Sequence, residues 1–210
     1  MIDFYSGTPG SGKSLHTAER LYYWLRAGRP AICNFSINLQ KVSKKHPEKL
    51  RFLLLENTEL SPAFLIAYSR EYFAGKIIKE DSILLVIDEA QLLFNARTWQ
   101  QAGRGDWLSF FSQHRKYGYY IILVAQFDRM LDRQIRSVIE YEYIHRKVGN
   151  FGLKGKLLSL FMGSKVHVAV KVWYPMNEKV SSEFFRARKK YYSLYDTFGD
   201  FVNNESASGV

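Results

Sequence analysis

The chain opens MIDFYSGTPGSGKS, and this stretch restricts the fold more than any other. Gly7, four residues, then Gly12, Lys13 and Ser14 match G-x-x-x-x-G-K-[ST], a loop whose backbone N–H groups wrap phosphate oxygens at a helix N-terminus. The pattern needs a strand before it and a helix after it. The first six residues read as a strand. Leu15, Ala18, Leu21, Tyr22 and Leu25 then recur at helical spacing, so a helix is expected from Lys13 to Ala27, stopped by Gly28.

The rest of the chain continues the alternation. A second strand is expected at Pro30–Ile37, followed by a polar, basic connection through Lys49. Ser61 and Pro62 make a helix start, with Ser as cap and Pro in the first turn, for a helix reaching Phe73. Ile83 to Ile87 is an unbroken apolar run, the mark of a strand buried on both faces of a parallel sheet. Asp106 is placed to cap a helix that ends at Gly118, and Tyr119–Ala125 reads as another buried strand. A short helix at Arg129–Ser137 and a strand near Val138–Arg146 come next. His167–Pro175 and Ser181–Lys189 alternate apolar and polar residues and are expected to pair antiparallel. The fold class is therefore α/β: a mainly parallel sheet flanked by helices, with a C-terminal antiparallel extension. One domain is expected over residues 1–195, with a flexible tail at 196–210.

Candidate chemistry appears in chain order. The residues Gly7, Thr8, Pro9, Gly10, Ser11, Gly12, Lys13, Ser14 and Leu15 form the nucleotide-binding loop. Within it Lys13 is assigned to the outer phosphates and Ser14 to Mg2+. Asp88, 75 residues after Lys13 at the end of an apolar strand, stands where a second Mg2+ contact belongs. Glu89 beside it can polarise an attacking water, which favours hydrolysis over simple binding. Gln126 ends the next strand and is read as a γ-phosphate sensor. Arg115, with Arg97 and Arg104 before it, is a candidate arginine finger acting on a neighbouring subunit.

Composition narrows the alternatives. A single cysteine, Cys33, excludes an internal disulfide and a Cys-rich zinc site, and it is read as a small core residue. The five histidines lack metal-ligand spacing, and Tyr22, Tyr23 and Trp24 are read as core. No leader or membrane-length apolar run is visible, so the chain reads as soluble. Arg146 to Lys190 holds eleven Lys/Arg against two acids, nearly all of the net +10 charge. Such a region suits a polyanion, either nucleic acid or an anionic membrane surface. Within it, residues 149–165 combine glycines, lysines and an apolar cluster.

Taken together, SGTPGSGKS, LLVIDEAQ, SQHRKYGYYIILVAQ and LDRQIRSVIEYEY resemble the zonular occludens toxin family, which includes the assembly ATPases of filamentous bacteriophages. The resemblance runs from Met1 to about Tyr195. It implies a RecA-like P-loop ATPase using ATP and Mg2+ at the cytoplasmic face of the bacterial inner membrane, driving extrusion of phage single-stranded DNA. It also implies a ring-shaped homo-oligomer, inner-membrane assembly proteins as partners, and membrane attachment through a segment absent from this chain. On this resemblance Lys13, Ser14, Asp88, Glu89 and Gln126 keep the roles given above, and Arg115 matches an arginine-bearing helix.

A nucleoside or nucleotide kinase of the thymidine kinase kind shares the loop and an IDEAQ-like strand end, but such enzymes commonly carry a four-cysteine zinc element. A nonenzymatic DNA- or membrane-binding adaptor accounts for the basic region and leaves Glu89 without a role.

Overall fold

The computed structural model describes residues 1–96, 103–148 and 166–195. Arg97, the stretch 149–165 and the tail 196–210 lie outside the described residues.

Eight strands form one sheet. They are β1 (Ile2–Ser6), β2 (Ala31–Cys33), β3 (Phe52–Leu54), β4 (Ile83–Ile87), β5 (Tyr119–Val124), β6 (Tyr141–Lys147), β7 (Val166–Trp173) and β8 (Glu178–Arg186). Their order across the sheet is β3-β2-β4-β5-β1-β6-β7-β8. From β3 to β6 every neighbouring pair is parallel; β7 and β8 are antiparallel additions. β1 lies between β5 and β6, with Phe4 level with Leu123 on one side and Glu142 on the other.

β4 and β5 are apolar or aromatic throughout because both of their faces are covered. Ile83, Leu85 and Ile87 of β4, with Ile121 and Leu123 of β5, point into one layer together with Phe110 and Phe111. The residues between them, Leu84, Val86, Ile122 and Val124, point into the opposite layer with Leu15, Leu21 and Leu25. This is the two-residue alternation of a strand, carried out with apolar side chains on both sides. Helices α1 (Lys13–Arg26), α2 (Leu39–Val42) and α6 (Lys189–Tyr192) lie on the second face. Helices α3 (Pro62–Tyr72) and α4 (Arg104–Gln113), with the single turn α5 (Arg133–Arg136), lie on the first.

Several elements differ from the sequence expectation. The second strand covers three residues rather than eight, and the basic connection contains α2 and the edge strand β3. Asp106 is in the first turn of α4 rather than its cap, which is Gly103 in a left-handed conformation (φ 99°). The helix expected at 129–137 is a 3₁₀ turn, Asp128–Met130, followed by α5 capped by the Asp132 side chain. Ser61 caps α3 as expected, accepting from the Phe64 amide at 3.3 Å. Tyr23, read as core, is 54% exposed, and Cys33 is buried as expected.

Candidate phosphate-loop site

The loop leaves β1 at Gly7 and enters α1 at Gly12, at the C-terminal edge of the parallel strands, where open α/β sheets bind ligands. Its glycines are required by geometry. Gly7 has φ 139°, and a Cβ there would meet the His145 carbonyl at 2.6 Å. Gly12 has φ 105°, and its Cβ would meet His167 Nδ1 at 2.7 Å. Gly10, at φ 73°, faces open space. The loop is held across the sheet by the Gly7 amide donating to the Gln126 carbonyl at 3.0 Å, and internally by Ser11 N–H to Thr8 O at 3.1 Å.

Lys13 folds back over the loop and donates to the carbonyls of Gly7 (2.7 Å) and Thr8 (3.4 Å). Partial burial holds its ammonium below the ordinary lysine value, while Asp88 and Glu89 pull it back up. Ser14 is half-buried in the first helical turn, and Leu15 behind it is core. Ser11 Oγ is buried with no hydrogen-bond partner among the described residues. An orphaned hydroxyl in a glycine cradle at a helix N-terminus fits a phosphate group.

Asp88 follows β4, with its backbone clamped. The Asp88 amide donates to Asn34 Oδ1 at 2.7 Å, and Asn34 Nδ2 donates to the Asp88 carbonyl at 2.8 Å. Burial pushes the Asp88 carboxyl up to about 6; the Glu89 amide, at 2.9 Å, and the Lys13 charge oppose that rise. The Tyr195 phenol donates to its other oxygen, and Tyr195 stacks on Phe35 at 4.7 Å. The hydroxyl of Ser14 and the carboxylate of Asp88 are hard oxygen donors suited to Mg2+, which keeps several waters and needs few protein ligands. Among the described residues no cluster of three or more His, Cys, Asp or Glu side chains is placed to hold a metal.

Glu89 is exposed at the rim in the left-handed region (φ 48°, ψ 45°), uncommon for a residue with a Cβ. Gln91 Nε2 donates to its carboxylate. Gln126 is half-buried and lines a cleft of about 660 Å³ with Thr8, Gly10, Asp128, Glu142 and Lys147. Ser6 Oγ donates to Glu142 in this cleft at 2.5 Å, and burial raises the Glu142 carboxyl above its ordinary value.

The loop, Asp88, Glu89 and Gln126 are thus brought to one edge. Arg115 is not. It pairs with Glu140 at 2.7 Å, and the Glu140 amide donates to the Ile2 carbonyl at the start of β1, the end opposite the loop. Arg104 opens α4 and donates to Gln134 at 2.9 Å. Residues that sequence reasoning missed are Asn34, Tyr195, Glu142, His145 and His167. Only Asn34 left a signal, a polar residue interrupting the apolar run of the expected second strand.

Residues 1–200 match the family described as zonular occludens toxin (Zot). The Gene 1 protein of Enterobacteria phage M13 is 28% identical over 223 residues, covering 100% of this chain and 62% of that protein. The Gene 1 protein of Escherichia phage If1 is 23% identical, covering 97% of this chain and 61% of its own length. The chain therefore spans about three fifths of the length of these relatives. Among solved structures, the N-terminal domain of zonular occludens toxin from Neisseria meningitidis superposes with a TM-score of 0.54 at 19% identity, covering 93% of this chain and 98% of that one. The genome packaging NTPase B204 from Sulfolobus turreted icosahedral virus 2, in complex with ATP-gammaS, gives 0.53 at 14% identity, covering 89% and 97%. These likenesses carry the fold, the α/β sheet of P-loop NTPases, to which β7 and β8 of this chain add a C-terminal antiparallel extension. With a match over nearly its whole length, the chain belongs to the zonular occludens toxin family.

Proposed function

We propose that this chain is a Mg2+-dependent ATPase motor domain that drives filamentous phage assembly, extruding phage single-stranded DNA through the bacterial inner membrane. The observation that carries the reading is the facing pair of strand ends. The loop after β1 ends at the N-terminus of α1 with Lys13 and an orphaned Ser11 hydroxyl, and the end of β4 offers Asp88 and Glu89 on the same edge. The likeness to the Gene 1 proteins of phages M13 and If1 and to the fold of a genome packaging NTPase supports it from outside the chain.

In this reading Gly7–Gly12 cradle the phosphates of ATP with Leu15 anchoring the helix behind them, and Lys13 leaves the Gly7 and Thr8 carbonyls to neutralise the outer phosphates. Ser14 and Asp88 would hold Mg2+, which supplies charge neutralisation to the leaving phosphates. Glu89, steadied by Gln91, orients and polarises the attacking water. Gln126 touches the γ-phosphate end, and its carbonyl already tethers Gly7, so the loop and β5 move together. Arg115, on the opposite edge, serves only a neighbouring subunit's site, so an arginine-finger role goes with a ring-shaped homo-oligomer. Residues 1–195 act as the motor domain, with 196–210 as a tail beyond it. Among the described residues no helix is long and apolar enough to cross a membrane. The domain works at the cytoplasmic face, and inner-membrane assembly proteins and a segment outside this chain hold it there.

The test is steady-state ATP hydrolysis with Mg2+, with and without single-stranded DNA, for the wild type, Lys13→Ala and Glu89→Gln. Turnover that DNA stimulates and both substitutions abolish is expected. Phosphate delivered to a nucleoside rather than to water would replace the motor with a kinase. No turnover from a membrane-anchored form would leave an adaptor.

A further inference from the structure

A phosphate loop must aim its N–H groups inward, so its carbonyls point outward and need donors of their own. In this chain the strands beyond β1 supply two of them. His145 Nδ1 lies 3.0 Å from Ser6 O, where the loop begins, and His167 Nδ1 lies 2.9 Å from Ser11 O, where it ends. A carbonyl only accepts, so each ring donates from Nδ1. Burial lowers His167 from its ordinary value, which leaves a neutral ring with its single hydrogen on Nδ1.

The Ser11–Gly12 peptide is where such a donor matters. Glycine at φ 105° tolerates either orientation of the preceding peptide plane, because no Cβ penalises a flip. In the flipped state the Ser11 carbonyl would enter the cradle and the Gly12 N–H would leave it. The His167 ring selects one orientation. It packs so closely on Gly12 that a Cβ would lie 2.7 Å from its Nδ1, and it stacks on Phe185 of β8 at 5.6 Å and 19°. It is also 6% exposed, at the start of β7 opposite Lys147.

We propose that His167 is a positioning residue of the nucleotide site, holding the Ser11–Gly12 peptide so that the Gly12 N–H faces the bound phosphates. The antiparallel extension is then part of that site. This rests on the nucleotide reading above.

The experiment compares wild type, His167→Asn and His167→Leu for ATP and ADP affinity by calorimetry, for kcat at saturating ATP, and for thermal midpoint. The Asn side-chain N–H stands as far from Cβ as Nδ1 does and keeps a donor; Leu fills the space and offers none. His167→Leu is expected to weaken both nucleotides about tenfold, the cost of one lost hydrogen bond. Its kcat should stay within about threefold of wild type, and His167→Asn should recover most of the affinity. Leu binding as tightly as wild type would overturn the proposal. So would Asn binding as weakly as Leu while both melt lower together, since that marks a packing role. A wild type that binds neither ATP nor ADP would overturn the nucleotide reading and this one with it. Wild-type binding with unchanged variants would overturn this one alone.

Discussion

Asn34 grips the backbone of Asp88 on both sides, accepting from its amide at 2.7 Å and donating to its carbonyl at 2.8 Å. The same Nδ2 reaches Asn57 Oδ1 at 2.9 Å. The end of β2 therefore fixes where the carboxylate at the end of β4 stands. Asn34→Ala leaves a donor and an acceptor at a half-buried strand end without partners, and is expected to cost about 2 kcal/mol by urea denaturation. ATP turnover should fall further than that loss of stability explains when both are measured at a temperature where the variant is fully folded.

Glu89 illustrates stability set against chemistry. Its φ of 48° costs a residue with a Cβ about 1 kcal/mol, a cost that glycine does not bear. Glu89→Gly is expected to hold or raise the denaturation midpoint while hydrolysis drops at least about a hundredfold. Glu89→Gln should lose the same activity with the midpoint unchanged. A Glu89→Gly protein clearly less stable than Glu89→Gln would show that the left-handed turn is held by side-chain contacts.

Asp3 makes stability depend on pH. It is fully buried in β1; Tyr120 donates to one oxygen at 2.5 Å and the other oxygen has no partner among the described residues. Burial pushes the carboxyl from 3.8 up to about 6. The folded state then binds a proton that the unfolded chain has released between those values, so stability falls as pH rises through that window. The cost of the buried charge is fully present above about pH 6. Asp3→Asn should make the fall in stability between pH 4 and 7 shallower, leaving the share that Asp88 contributes, and add about 1–2 kcal/mol at the upper end, read from denaturation curves at each pH.

Arg115 gives a negative expectation with a geometric reason. Its partner Glu140 is hydrogen-bonded through its amide to the first strand residue, at the far end from the loop. Arg115→Ala should leave the ATP affinity of the isolated chain unchanged within about twofold and shift stability by less than about 1 kcal/mol, since the pair is partly exposed. Any loss should fall on the part of hydrolysis that grows with protein concentration. A large loss of affinity at dilution would contradict the placement.

The parts of this fold that could be read from sequence are those decided by neighbours in the chain. The apolar runs of β4 and β5, the glycine spacing of Gly7–Ser14 and the Ser61–Pro62 cap each carry their own cause. β3 was not legible, because three residues at a sheet edge with only partial burial leave no periodic signal. The start of α4 is not legible because Asp106 has the chemistry of a cap, while Gly103 supplies the left-handed geometry that begins the helix. Asn34, His145 and His167 escaped for a different reason. They reach the loop and Asp88 across the sheet, from strands whose neighbours are set by topology and not by spacing.

The position of β1 orders the assembly of the molecule in time. The phosphate loop is near the start of the chain, yet its strand pairs with Tyr119–Val124 on one side and Tyr141–Lys147 on the other. On a ribosome the loop emerges before either of these strands and stays without a scaffold until both have followed. Residue 167 must emerge before its last carbonyl finds a donor. Nucleotide capture during synthesis would accordingly report a finished sheet, and a chain truncated before β6 would carry the whole motif and hold nothing.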